Sequence, residues 1–283
     1  MEVVLGKTSG FCFGVKNAVD GAETELKNGN STYCLGEIVH NEEVIKDLEK
    51  KGLIIIDNIE SAKGNVIIRA HGVSKEVYET AKMRNIELLD FTCPFVTKIH
   101  ETVAEYSSNN YFIFLLGNKN HPETIGTISF CGNNSYLIEN VDDVEDAINS
   151  FKISDLKDLL IISQTTFSVS LFEAITNKVK SQISPDINCE VKNTICNTTS
   201  MRQKETEKIS KEVDLMLVIG GKNSSNTKKL YEIAEKNCKN SLLVQTKNDL
   251  DYEYLKSFNK IGIIAGASTP QIIIDDIVLF CRK

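Results

Sequence analysis

Short apolar runs alternate with helically spaced apolar residues along the whole of this 283-residue chain. VVL (3–5), NVIIRA, ELLDFT, YFIFLLG (111–117), SYLIEN, LLIISQ, DLMLVIGG and KIGIIAG have the length and composition of strands. Each runs through a polar turn into a segment of helical period. After VVL, Val15, Ala18, Val19, Ala22 and Leu26 share one helical face; after ELLDFT, Val96, Ile99, Val103 and Tyr106 do. Strands joined through helices predict parallel sheets flanked by helices, an α/β fold. Each third of the chain holds a cysteine at a strand-to-helix joint and one or more polar turns. The expected organisation is therefore three small α/β domains over 14–93, 94–193 and 194–283. The N-terminal strand (1–13) is too short to stand alone and is expected to pair with the third.

The formal net charge of −7 disfavours a nucleic-acid-binding surface covering the molecule. No apolar run approaches a membrane span, and MEVVLGKTSGFCFGV lacks a basic segment followed by an apolar one. The expected compartment is the cytoplasm, with no nucleic-acid or membrane partner. Eight cysteines there point to metal binding, catalysis or plain burial before disulfides.

Three of the eight stand apart. Cys12 lies between Gly10 and Gly14, Cys93 precedes Pro94, and Cys196 follows Thr194 and Ile195, each in a turn before a helix. Cys34, Cys131, Cys189, Cys238 and Cys281 lie in or beside apolar segments, where core filling is the default. The three spacings allow distant segments to bring one thiolate each to a common point. Structural zinc is the main rival, but it usually shows paired C-x-x-C knuckles and four ligands. Iron–sulfur clusters also usually take four thiolates; three would leave one iron open to water or substrate.

In parallel α/β sheets, ligands bind outside the carboxyl ends of the strands. There this sequence places His40, His71, His121 with Glu123, Thr165 and Thr166, Ser224 with Ser225 and Asn226, and Ser268. Any one Ser, Thr or Asn is by default a helix cap, and a lone His by default a hydrogen-bonded structural residue. The number of such turns, and three of only four histidines within them, argue for a site. KNSSN after DLMLVIGG puts hydroxyls, an amide and free N–H groups at a helix N-terminus, an arrangement that attracts phosphate. The G-x-x-x-x-G-K-[ST] spacing is absent. ASTP with Ser268 is a weaker copy, and Lys222 either adds charge or is solvated. In HPET, Glu123 beside His121 suits a proton donor; the alternative is a Glu that caps the helix.

GFCFGV, GEIVHN, RAHGVS, TCPFVTKIH, GNKNHPETIGT, SQTTFS, NTIC with TTSMRQ, IGGKNSSNT and AGASTP together resemble the 4-hydroxy-3-methylbut-2-enyl diphosphate reductase family of the non-mevalonate isoprenoid pathway. The pieces occur in that family's order and span essentially the whole chain. The resemblance implies three α/β domains in pseudo-threefold arrangement around a central 4Fe–4S cluster, with Cys12, Cys93 and Cys196 as ligands and one open iron. It implies that His40, His71, His121, Ser224, Ser225, Asn226 and Ser268 bind the diphosphate. Thr165 would contact the substrate hydroxyl and Glu123 would donate the proton. Two electrons, from reduced ferredoxin or flavodoxin, and two protons would expel that hydroxyl as water and give isopentenyl and dimethylallyl diphosphates. Two alternatives are an open-iron enzyme of the quinolinate synthase type, which also joins three domains around three cysteines, and a non-catalytic iron–sulfur sensor. A sensor would not need the convergent hydroxyls and Glu123.

Overall fold

The structure is a computed structural model and describes residues 1–29, 31–150 and 157–283. Its strands form three four-stranded sheets in which every pairing is parallel. The chain divides into two compact units. One comprises Met1–Gly29, Glu37–Leu53 and Asn197–Lys283; the other comprises Asn30–Gly36 and Ile54–Cys196.

The first unit holds one sheet: β1 (Glu2–Leu5), β12 (Lys260–Ala265), β10 (Leu215–Ile219) and β11 (Ser241–Val244), in that order. The N-terminal strand pairs with β12, from Glu2 beside Lys260 to Leu5 beside Ile263. The helices of this unit are α1 (Phe13–Lys27), α2 (Glu42–Lys50), α8 (Asn197–Ser210), α9 (Ser225–Asn237), the single turn α10 (Tyr252–Leu255) and α11 (Gln271–Cys281), of which α8, α9 and α11 pack on the sheet. Side chains on a strand alternate between faces. Accordingly Leu215, Leu217 and Ile219 join one apolar core with Ile274 and Ile277 of α11, while Met216 and Val218 join another with Leu230 and Ala234 of α9. A strand buried on both faces has to be apolar throughout, which is why β10 reads LMLVI without a polar residue.

The second unit holds two sheets. One is ordered β3 (Ile54–Ile56), β2 (Thr32–Leu35), β4 (Asn65–Ile68), β5 (Leu88–Asp90); the other β7 (Ser135–Ile138), β6 (Phe112–Leu116), β8 (Asp158–Ser163), β9 (Asn188–Lys192). The helices are α3 (Lys75–Arg84), α4 (Pro94–Ser108), α5 (Pro122–Ile128), α6 (Asp143–Asn149) and α7 (Val169–Gln182). The alternation repeats in β6 and β8. Phe114, Leu116, Leu159 and Ile161 pack with Phe172, Ile175 and Val179 of α7, and Ile113, Leu115, Leu160 and Ile162 pack with Ile99 and Val103 of α4. Burying each such side chain contributes about 1.5–3 kcal/mol, so these central strands are the stiffest support for the loops at their ends.

Several local expectations change in detail. Of the two glycines flanking Cys12, only Gly10 has a left-handed φ (+98°); Gly14 is already helical. The helix after KNSSN begins at Ser225, because Ser224 caps it. Ser74 does precede α3, but its hydroxyl makes no cap bond to the backbone and is turned to Glu76.

Candidate active site

Read outward from one edge, the sheets run β1-β12-β10-β11, β5-β4-β2-β3 and β9-β8-β6-β7. The first strand of each leads into a candidate ligand: Cys12 after β1, Cys93 after β5, Cys196 after β9. The second leads into Ser268, His71 or Thr165. The third leads into Ser224–Asn226, His40, or His121 with Glu123. The fourth leads into none of them. In every sheet one backbone hydrogen bond ties the first loop to the second: Cys12 N to Ala267 O (3.2 Å), Cys93 N to Ala70 O (3.0 Å), Cys196 N to Thr165 O (2.9 Å). Chance capping would not repeat the same assignment three times.

In the second unit, HPET becomes the start of α5. His121 itself is the N-cap, and its Nδ1 accepts from Glu123 N at 3.2 Å, which places the ring proton of the neutral imidazole on Nε2. Glu123 is thereby released from capping and turns inward, only 1% exposed. Its Oε1 accepts from Thr165 N (2.6 Å) and its Oε2 from Thr165 Oγ1 (2.7 Å). Burial pushes the Glu123 carboxyl up to about 7, although both bonds from Thr165 pull it down. A carboxyl so placed holds a proton at neutral pH far more often than an exposed one, which suits proton donation better than capping. His71 stands edge-on to His121, ring centroids 5.2 Å apart. Because Cys196 hangs from Thr165 and Cys93 from the residue before His71, two thiols and the acid pair are anchored to the same two loops.

In the first unit, Ser224 accepts from Thr227 N (3.3 Å) and starts α9, with Ser225 and Asn226 in its first turn. Asn226 is 3% exposed, yet neither atom of its amide has a hydrogen-bond partner in the protein. A buried orphan amide at a helix N-terminus is costly unless a ligand satisfies it, and an anion does. Ser268 lies two residues before Pro270, the N-cap of α11, so it is not itself a cap. Its hydroxyl donates to His40 O at 3.3 Å. The same carbonyl lies so near Gly221 that a Cβ there would come within 2.2 Å of it; only glycine fits. The His40 backbone is thus held between the turns after β10 and β12, while its Nδ1 lies 3.2 Å from Glu37 Oε2. Lys222 is exposed.

The LytB protein family model matches residues 3–282. A 4-hydroxy-3-methylbut-2-enyl diphosphate reductase of Caldanaerobacter subterraneus subsp. tengcongensis is 41% identical over 98% of this chain and 96% of its own. One from Clostridioides difficile is 38% identical over the full length of both. The solved reductase of Plasmodium falciparum superposes with a TM-score of 0.91 at 36% identity, covering 98% of this chain and 87% of that one. This chain belongs to the LytB family. Membership sets aside the quinolinate synthase-type and sensor alternatives. No helix among the described residues is long and apolar enough to cross a membrane.

Within this LytB-family chain the cysteines differ in setting: Cys34, Cys131, Cys238 and Cys281 are buried, and Cys189 is half-buried like the three candidate ligands. Cys12 and Cys93 are N-caps of α1 and α4, Cys196 immediately precedes α8, and all three are half-buried free thiols. Three soft donors, each at a helix N-terminus, suit an iron–sulfur centre. Burial pushes the Cys34 and Cys131 thiols up to about 12 and Cys281 to about 11, so these are core residues. His100 is core as well: it stacks on Phe130 at 4.5 Å, and burial holds it down at about 4, hence neutral. Gln164 was not among the sequence candidates. Buried at 2% exposure, it accepts from Asn118 N and Thr124 Oγ1 and donates to Thr166 Oγ1, joining the loop after β6, α5 and the Thr165 turn. Its place in SQTTFS beside Thr165 was the available signal.

Proposed function

We propose that this chain removes the hydroxyl of 4-hydroxy-3-methylbut-2-enyl diphosphate reductively, giving isopentenyl and dimethylallyl diphosphates. The C–O bond breaks, two electrons and two protons are taken up, and the oxygen leaves as water. The observation that carries the reading is the buried Glu123–Thr165 pair, whose carboxyl holds its proton near neutral pH and whose partner loop anchors Cys196. Full-length similarity to reductases of that name supports the substrate.

Cys12, Cys93 and Cys196 would hold a 4Fe–4S cluster, which supplies the electrons and one iron open to the leaving oxygen. The other roles belong to the chain. Ser224, Ser225, Asn226 and Ser268, with His40, His71 and His121, bind the diphosphate, His121 as a donor from Nε2, the nitrogen opposite its cap bond. Anchoring that end fixes the distance of the hydroxyl from the chemistry. Glu123 gives its proton to the departing oxygen through, or beside, the Thr165 hydroxyl, so hydroxide is never released as such. Thr165, bonded to Glu123 by both N–H and O–H, sets where that proton points. Reduced ferredoxin or flavodoxin in the cytoplasm is the expected electron source. The three sheet-bearing segments, 14–93, 94–193 and 194–283 with β1, would be the chain's three domains.

The test is iron-57 Mössbauer spectroscopy on protein purified without oxygen, with and without the diphosphate, alongside turnover of Glu123→Gln. One distinct iron whose signal shifts with the diphosphate, and a Glu123→Gln protein that keeps the cluster but loses about 100-fold or more in kcat, is the expected result. Full turnover by Glu123→Gln removes the donor role. A cluster blind to the diphosphate removes the substrate.

A further inference from the structure

The loop before Cys12 is held by α8. Arg202, 2% exposed, donates from Nε to Thr8 O at 2.6 Å and from Nη2 to Gly10 O. One turn along, Glu205 accepts from Lys7 N (2.8 Å), Thr8 N (2.8 Å) and Thr8 Oγ1 (2.5 Å). Partial burial pushes the Glu205 carboxyl up, but the donors from Thr8 and Lys7 outweigh it and hold the group below its ordinary value, as an anion. A cation thus takes the loop's carbonyls and an anion takes its N–H groups. Five hydrogen bonds converge on Lys7–Gly10, within five residues of Cys12.

The opposite side of the loop is held too. Ala265 N donates to Ser9 Oγ (3.0 Å) and Cys12 N to Ala267 O (3.2 Å), on the segment that carries Ser268. The loop of Cys93 leans on a carboxylate of its own segment, and that of Cys196 on a backbone carbonyl. Thr92 leans on Asp90 two residues away, and Thr194 Oγ1 donates to Ser163 O. Gly10, with its left-handed φ, makes the Cys12 loop the one that needs outside restraint. α8 also begins at Asn197, the residue after Cys196, so one helix is continuous with one candidate ligand and grips the loop of another.

We propose that Arg202 and Glu205 are positioning residues that hold Cys12 in ligand geometry. The proposal rests on the reading of Cys12 as a cluster ligand. The bonds described for both residues go to Lys7–Gly10, so their loss should change the electronic surroundings of the metal more than diphosphate binding.

The experiment compares native protein with Arg202→Met, Arg202→Lys and Glu205→Gln. Glu205 is only partly buried and its amide is isosteric, so that variant keeps the test open should Arg202→Met fail to fold. In anaerobically loaded protein, Arg202→Met is expected to shift the electron paramagnetic resonance signature and reduction potential and to lower kcat about tenfold or more with KM within about twofold, the scale of losing charged hydrogen bonds. Arg202→Lys recovers part of each. In cluster-free protein, iodoacetamide labelling of Cys12, read by peptide mass spectrometry, is expected to quicken about tenfold in Arg202→Met and Glu205→Gln, with Cys93 and Cys196 unchanged. Folded variants whose signature, potential and Cys12 labelling match the native protein would overturn the proposal. A native protein that never takes up iron would instead remove the cluster reading, and the labelling comparison would still decide whether the clamp exists.

Discussion

Thr165→Val deletes one hydrogen bond to Glu123 while keeping volume and burial nearly constant. The hydroxyl bond at 2.7 Å goes; the backbone bond from Thr165 N at 2.6 Å stays. Both favour the ionised carboxylate and oppose the burial that lifts its pKa to about 7. The sign is fixed: the anion loses a donor, so the proton is held more tightly and the midpoint rises. A hydrogen bond to a charged group contributes about 1.5–3 kcal/mol. The protonated carboxyl loses a weaker bond to the same hydroxyl, leaving roughly 1.4 kcal/mol, or about one pH unit. The assay is the infrared carbonyl stretch of the protonated carboxyl, followed against pH with Glu123→Gln as the blank. The native band should disappear with a midpoint near 7, and that of Thr165→Val about one unit higher. The basic limb of kcat should move the same way, although its height falls if, as proposed, Thr165 also contacts substrate. A midpoint that stays put, or moves down, would refute the claim that Thr165 tunes the acid.

Asn226→Ala should weaken binding of inorganic pyrophosphate, measured by calorimetry, about 10- to 100-fold. Its Tm should be unchanged or higher, because the buried amide has no partner within the protein to lose. Cys93→Ala should lose iron, by colorimetric assay, with little change in Tm. Cys131→Ala should show the reverse: full iron content, and roughly 1–2 kcal/mol less stability from the cavity left in the core of β6 and β8.

The central strands were legible because burial on both faces forces an unbroken apolar run, as in LMLVI or DLLIIS. Four strands escaped notice: β2, β3, β9 and β11. β3 and β11 are three and four residues long, lie at sheet edges, and include half-exposed positions, so neither length nor period marks them. The candidate site was legible at the turns, where Gly, His, Ser and Asn cluster in sequence. What holds it was not. Arg202 and Glu205 reach partners 192 to 198 residues away. In a helix reading NTTSMRQKETEKIS they look like any other solvated charges. Glu123 is the intermediate case. HPET suggests either a cap or an acid, and only the structure shows His121 taking the cap and leaving the carboxyl to Thr165.

The repeated strand order also explains why these loops, and not their neighbours, carry the candidates. In the second unit the chain lays down β2 and then β3 to its outer side, returns to place β4 on the other side of β2, and continues outward to β5; β6 to β9 follow the same course. β10, β11 and β12 do likewise, with β1 completing the edge. The winding direction therefore reverses between the third and second strands of every sheet. Loops leaving adjacent strands diverge at such a reversal and open a crevice at the carboxyl ends, the usual ligand position in open α/β sheets. The candidate diphosphate and proton-donor residues flank that crevice in all three sheets. Each cysteine stands one strand further out, about 4.8 Å by strand spacing, and is tied back by the bond from its backbone N–H. The loops after β3, β7 and β11 lie on the far side of the reversal. They are the ones in which substitution should leave turnover intact.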